Sequence, residues 1–302
     1  MVVDVDAFAR QSRFSDPGRH AARLREVPDD LASLCAVSRN LVAHYRAELP
    51  DLPQERWPEV DSRWVEVILD LDSRRHPDDL SRPRATADKV AGCCRDHSLL
   101  VVGALRQRGV PARTRVGFAH YFASDWAADH VVAERWQDGR WRRADPELGD
   151  GHPFDVLDIP AGPHAPFETA AEAWLGWRAG DRDLSRYGVY GAPELAGPDF
   201  VRTYVVFEVA HRFGDEMLLW DAWEATEHPL EPTETDELAR LLVAADAGDA
   251  SAEDELAARY REDDRLHPGD RVTTYSPFDL PPRTVELAHR GGETGPAQTS
   301  TA

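Results

Sequence analysis

The sequence predicts an α+β fold, in which a helix bearing a cysteine packs on an antiparallel sheet and additional helices cover both flanks. Three observations predict it. Residues 99–105 are almost wholly apolar, as in a helix buried on most sides, and Gly109 and Pro111 stop that run. Between residues 113 and 145 the pattern turns to partial alternation, broken by Asp138-Gly139, the signal of a two-residue hairpin. On either side of these stretches, apolar residues recur at spacings of three and four.

The totals fit such a fold. At 302 residues, 42% of them hydrophobic and 30% charged, the chain can build one large or two modest domains around a sizeable core. A formal net charge of -20 repels phosphate backbones and anionic lipid surfaces, so neither nucleic acid nor membrane is an expected partner. Lys89 is the only lysine, so the chain is a poor amine donor for cross-linking to itself. Residues 1–6 have neither a basic leader nor an apolar stretch, and no later run approaches the length of a membrane span, which predicts a cytoplasmic protein. Cys35, Cys93 and Cys94 cannot make a disulfide framework, and free thiols suit a reducing compartment.

In chain order, residues 1–85 form an N-terminal helical region. Leu31, Leu34, Cys35, Val37, Leu41, Val42 and Tyr45 build one apolar stripe, with Cys35 as a small core thiol. Residues 60–70 give a second helix, and 76–86 a polar linker punctuated by proline. Residues 86–150 form the core. Its helix begins near Cys94, where unpaired N–H groups and the positive end of the dipole favour an anion and predict a lowered thiol pKa. Strands follow at 113–122, 130–136 and 141–145, with a loop through Ser124, Asp125 and Trp126. Residues 151–290 are a mainly helical C-terminal region packed on the core. A capping box at Thr169 and Glu172 opens one helix, 199–213 gives another, 238–243 a third, and Ser251 starts the next. Residues 291–302 have little to bury and form a disordered tail.

The hairpin permits a geometric deduction. If Asp138 and Gly139 are the loop, Gln137 pairs with Arg140, Trp136 with Trp141, and Val132 faces Asp145. Side chains alternate with period two, so His130 shares a face with Val132 and is a diagonal neighbour of Asp145, with Cα atoms about 7–8 Å apart. A three-residue loop would reverse the parity. A thiolate nucleophile needs a base, and the base needs a partner that fixes its tautomer. Cys94, His130 and Asp145 fill those roles.

Gly92-Cys93-Cys94-Arg95-Asp96, the helix closing in Leu105-Arg106-Gln107-Arg108-Gly109-Val110-Pro111-Ala112-Arg113, His130-Val131-Val132-Ala133-Glu134 and Trp141-Arg142-Arg143-Ala144-Asp145-Pro146 occur in the order of the transglutaminase-like superfamily, which the chain resembles over roughly 60 residues. The resemblance implies a papain-like core, with the helix bearing Cys94 on a sheet bearing His130 and Asp145, and chemistry through an acyl-thioester. Its register selects Cys94 over Cys93, which the residues alone leave as a competing nucleophile. Family members often carry an aromatic two residues after the histidine, where Val132 stands here. The helical flanks lack the calcium-binding and β-sandwich equipment of the animal enzymes, which points to a bacterial-type thiol hydrolase or acyltransferase.

Each residue also has a plainer reading. Cys94 could be an inert buried thiol, but the polar Arg95-Asp96-His97 argues against a sealed site; Asp145 before Pro146 could merely end a strand. Arg95 and Asp96 cap and brace the helix start. His97 and His120 show no metal-ligand spacing, and no metal or other cofactor is expected. Tyr121, Trp126 and Trp174 are candidates for a substrate pocket, with core packing the alternative for each. The expected activity is hydrolysis of a peptide, amide or thioester substrate. Acyl transfer to a small amine acceptor is an alternative, as is a non-catalytic binding module that keeps the fold.

Overall fold

The computed structural model describes residues 4–162 and 164–288, so the expected tail at 291–302 lies outside the described residues. The elements in chain order are α1 (Ala21–Arg25), α2 (Leu31–Leu41), β1 (Val42–His44), α3 (Val65–Arg75), β2 (Val90–Gly92), α4 (Cys94–Arg106), β3 (Ala112–Ala123), β4 (Trp126–Gln137), β5 (Arg140–Ala144), β6 (Phe167–Thr169) and α5 (Ala170–Arg178). Then come β7 (Tyr187–Gly188), α6 (Pro198–Arg212), β8 (Asp221–Ala222), α7 (Glu224–Glu227), α8 (Pro232–Asp246), α9 (Ala250–Glu262), β9 (Arg271–Thr274) and β10 (Arg283–Glu286). Helices and an antiparallel sheet together make the α+β architecture that the sequence predicts. Among the described residues no helix is long and apolar enough to cross a membrane.

The main sheet runs β5-β4-β3-β6, and β7 adds to β4 in parallel. It takes strands from both sides of residue 150. Thr169 ends β6 and caps α5 at once, its hydroxyl accepting from the N–H of Glu172 as the capping box requires. Asp138 (φ 53°) and Gly139 (φ 77°) both adopt the left-handed conformations of a tight hairpin turn, and Gln137 pairs with Arg140.

Helix α4 is the centre of the core: all thirteen of its residues are buried. The apolar run accounts for most of them, and its polar residues are held by specific partners. Arg95 donates to the carbonyls of Arg63 (2.6 Å) and Glu216, and Arg106 to the carbonyl of Ala112 (3.1 Å) and to Glu216 (2.7 Å). Such pairing is what makes a buried guanidinium tolerable. Gly103 lets the N-terminal chain cross α4, since a Cβ there would stand 2.5 Å from the carbonyl oxygen of Ser15. The C-terminal helices are fastened to β3 by charge: Arg115 bonds Glu208 of α6 (2.7 Å), and Arg113 bonds Asp246 of α8 (2.9 Å).

Several local expectations are corrected. Val42 and Tyr45 do not continue the helix of Leu31; 42–44 is a short strand paired in parallel with β2, because burial against that partner outweighs a helical spacing that happens to persist. The second helix is shifted, since Gln54–Asp61 forms 3-10 turns around Pro58 and the α-helix starts only at Val65. Trp126 opens β4 rather than lying in the loop. The mainly helical C-terminal region also holds β6, β7 and a three-stranded sheet of order β10-β9-β8, strands too short to show alternation.

Candidate active site

Cys94 is the first residue of α4, with Cys93 as N-cap. The cap is secured by Asp96, whose Oδ2 accepts from the N–H of Cys93 at 2.9 Å while Arg95 braces its other oxygen at 2.9 Å. Gly92 is required here: a Cβ on it would stand 2.7 Å from Asp96 Oδ2 and 2.9 Å from Val42. One turn beyond Cys94 and on the same side of the helix, Ser98 donates to the carbonyl of Val131 at 2.8 Å.

That contact falls at a gap in the sheet. Away from β3, β4 pairs with β5 from Ala133 onward and with β7 at Ala127 and Ala128. Among the described residues, 129–132 have no strand partner on that side, and His130 lies in the gap. Asp145 follows the last residue of β5, where the chain turns away: its N–H bonds the carbonyl of Val156 (2.9 Å), and Arg39 of α2 holds the carbonyls of Pro146 (3.0 Å) and Leu148 (2.8 Å).

His130 Nε2 lies 2.7 Å from Asp145 Oδ2. A carboxylate only accepts, so Nε2 carries the proton and Nδ1 is left with no hydrogen bond among the described residues. Burial alone would lower the pKa of His130, but the charge and hydrogen bond of Asp145 outweigh it and raise it. For Asp145, burial works upward and is outweighed by His130 and Tyr121, so its carboxyl is held below the usual aspartate range. Tyr121 donates to the same Oδ2 at 2.6 Å, and the N–H of Glu147 to Oδ1 at 3.0 Å.

The thiol is not lowered in this resting structure, contrary to expectation. The adjacent Cys93 thiol raises it first, then burial, then the carboxylates of Glu147 and Asp129, which together leave Cys94 protonated. Glu147 itself is lifted to about 7 by burial, with Asp145 adding to the shift and His130 opposing it, and its Oε2 is buried with no hydrogen-bond partner among the described residues.

The remaining candidates separate. Tyr121 is in the site, although its hydroxyl is committed to Asp145. Trp126 stands at the start of β4, its indole donating to the carbonyl of Gly188 (2.8 Å) and its ring beside the exposed Tyr190. Trp174 is 2% exposed and its indole donates to Asp236 of α8 (2.8 Å), because the face of α5 that carries it packs on α8. Val132 is fully buried with Ile159 and Phe167. His97 is buried with Nδ1 2.9 Å from the Ser38 hydroxyl, and Cys35 is a core thiol pushed up to about 12 by burial.

Other site neighbours were not singled out from the sequence. His44 pairs with Gly92 across β1 and β2, and burial, then the charge of His130, lower it to about 4. Tyr204 of α6 donates to Asp129 at 2.7 Å. Phe122 packs on the His130 ring. The hairpin count finds Asp145 but gives no sign of residues arriving from α6 or β1.

Residues 42–146 match the model of the transglutaminase-like superfamily. This segment is similar to a transglutaminase-like core. It covers about a third of the chain and contains α4, β3, β4 and β5, together with Cys94, His130 and Asp145. No curated protein matches the chain. Among solved structures, a chain described as a "putative cysteine protease" from Cytophaga hutchinsonii is similar at 16% identity and a TM-score of 0.33. That match covers 49% of this chain and 43% of the other, so the chain spans less than half the length of that relative. Two cavities, of about 450 and 640 Å³, lie apart from the core's thiol, the first lined by Trp223 and His267, the second by Arg113 and Trp141.

Proposed function

We propose that the chain is a thiol-dependent acyl-transfer enzyme, in which Cys94 attacks the carbonyl of a peptide-like or isopeptide-like amide, or of a thioester, and the acyl group passes to water. The observation that carries this reading is the His130–Asp145 hydrogen bond, formed in a sheet gap beside the first turn of the helix that Cys94 opens. Cys94 Sγ gives its proton to His130 Nδ1 as it bonds the carbonyl carbon. The carbonyl electron pair moves to oxygen, where the Cys94 N–H, which has no carbonyl partner within the helix, donates to the oxyanion. Collapse expels the amine, which takes the proton back from His130, and leaves a thioester on Cys94. Water, deprotonated by the same imidazole, attacks the thioester carbon and releases the acid, and the imidazolium returns its proton to Cys94 Sγ. Asp145 keeps the proton on Nε2 and faces the imidazolium while it exists.

Transfer to a small amine is the second reading, and Glu147 favours it. A carboxyl with a buried, unpartnered oxygen beside His130 suits the ammonium of an entering amine. The two readings part in the second half-reaction. Wild-type protein is loaded with 4-nitrophenyl acetate, and the decay of the acetyl-enzyme is followed by intact mass with and without glycinamide. Decay indifferent to glycinamide supports hydrolysis, and acceleration with formation of N-acetylglycinamide supports transfer. No adduct, or an equal adduct in Cys94→Ala, sinks both.

A further inference from the structure

Tyr121 and Phe122 are consecutive residues of β3, and in a regular strand their rings would leave on opposite faces. Both stand against one imidazole. Their ring centroids lie 6.0 and 5.0 Å from that of His130, and 4.7 Å from each other. The cause is an irregularity in β3: Ala119 pairs with Ala128 and Ala123 with Trp126, so His120, Tyr121 and Phe122 stand opposite Ala127 alone. Extra residues on one strand kink it and re-aim side chains, and such features gather beside active sites.

The two rings are then used differently. Tyr121 is half-buried, bonded to Asp145 through its hydroxyl and backed by Phe154 at 5.2 Å and His152 at 6.2 Å. Phe122 has no polar atom to place and is 46% exposed, although an apolar ring is ordinarily buried. It meets the imidazole edge-on, at an interplanar angle of 72°.

We infer that Phe122 is a specificity-determining wall of the acyl subsite, taking an apolar and preferentially aromatic side chain of the acyl donor next to the carbonyl that Cys94 attacks. The inference rests on the acyl-transfer reading above. Position argues for this occupant: a base must come within hydrogen-bond reach of the thiol it deprotonates, so a ring in contact with His130 stands within a side chain's length of that carbonyl. Charge argues the same way. The carboxyls whose charge reaches the thiol, Glu147 and Asp129, are acidic, and an apolar donor side chain is best received by an uncharged aromatic surface.

The test compares acylation by 4-nitrophenyl acetate and 4-nitrophenyl phenylacetate in wild type, Phe122→Ala and Phe122→Leu. Nitrophenolate release and adduct mass are followed, and each rate is divided by that of the ester in buffer. Wild type is expected to prefer the phenylacetyl donor by about tenfold; Phe122→Ala loses that preference and Phe122→Leu keeps part of it. Alkylation of Cys94 by iodoacetamide, which has no side chain to place, is measured beside it in both variants. An unchanged preference in Phe122→Ala overturns the inference. So does alkylation that rises severalfold with the preference intact, since Phe122 would then be a cover over the histidine. If Phe122→Ala does not fold cooperatively, the leucine variant decides by the same ratio. Failure of both esters to acylate wild-type Cys94 overturns the acyl-transfer reading, and this inference with it.

Discussion

Tyr121 and His130 meet on one oxygen, the phenol donating to Asp145 Oδ2 at 2.6 Å and the imidazole at 2.7 Å. The phenol draws charge from the atom that the imidazole uses, so it sets how basic that imidazole is. Tyr121→Phe leaves Asp145 with His130 and the Glu147 N–H as donors and makes it a stronger partner for the imidazolium. The expected result is an upward shift in the His130 limb of the pH profile of acylation. Stability falls by about 1.5–3 kcal/mol, the range for a hydrogen bond to a charged group. A profile that does not move would reduce Tyr121 to packing.

The pair also fixes a window of stability. Asp145 lies below an unfolded value near 3.8, so its contribution is present above that pH and is lost as the pH falls through the folded value. His130 lies above an unfolded value near 6.5, so its contribution is present below that pH and is lost as the pH rises through the folded value. The difference in unfolding free energy between wild type and Asp145→Asn should therefore be flat between those unfolded values and shrink beyond each side. Urea titrations over a pH series measure it. A difference still growing above pH 9 contradicts the assignment of the charges.

The resting thiol offers a separate check. With Cys93, burial, Glu147 and Asp129 all raising it, Cys94 should be alkylated slowly by iodoacetamide at neutral pH, with a rate still climbing above pH 9. Glu147→Gln removes one of those carboxylates, and the profile should move to lower pH. Alkylation already maximal below pH 7 in the free protein would contradict a thiol that waits for its base.

What could be read from the sequence follows from how local each signal is. Asp138 and Gly139 permit few turns, and that single turn sets the pairing from Gln137 with Arg140 to Ala133 with Ala144, which brings Asp145 towards His130. The run behind Cys94 suits a buried helix, with Gly109 and Pro111 to stop it. The excess of residues at 120–122 only breaks the alternation, so nothing in the pattern marks Phe122 as a neighbour of His130. His44 could not be placed without knowing that β2 would pair beside it, and Tyr204 arrives from a helix some 75 residues beyond Asp129. An apolar ring near a cap, such as that of Trp174, reads the same whether it faces a ligand or, as with Asp236 here, another helix.

The central claim is that Cys94, and not its neighbour, carries the acyl group with His130 as its base. The most direct measurement is peptide mapping by mass spectrometry after a brief exposure to 4-nitrophenyl acetate. The account predicts a thioester on Cys94 in wild type and in Cys93→Ser, none in Cys94→Ala, and acylation slowed by about 100-fold or more in His130→Ala. An acyl group on Cys93 or Cys35, or a rate that ignores the loss of His130, would contradict it.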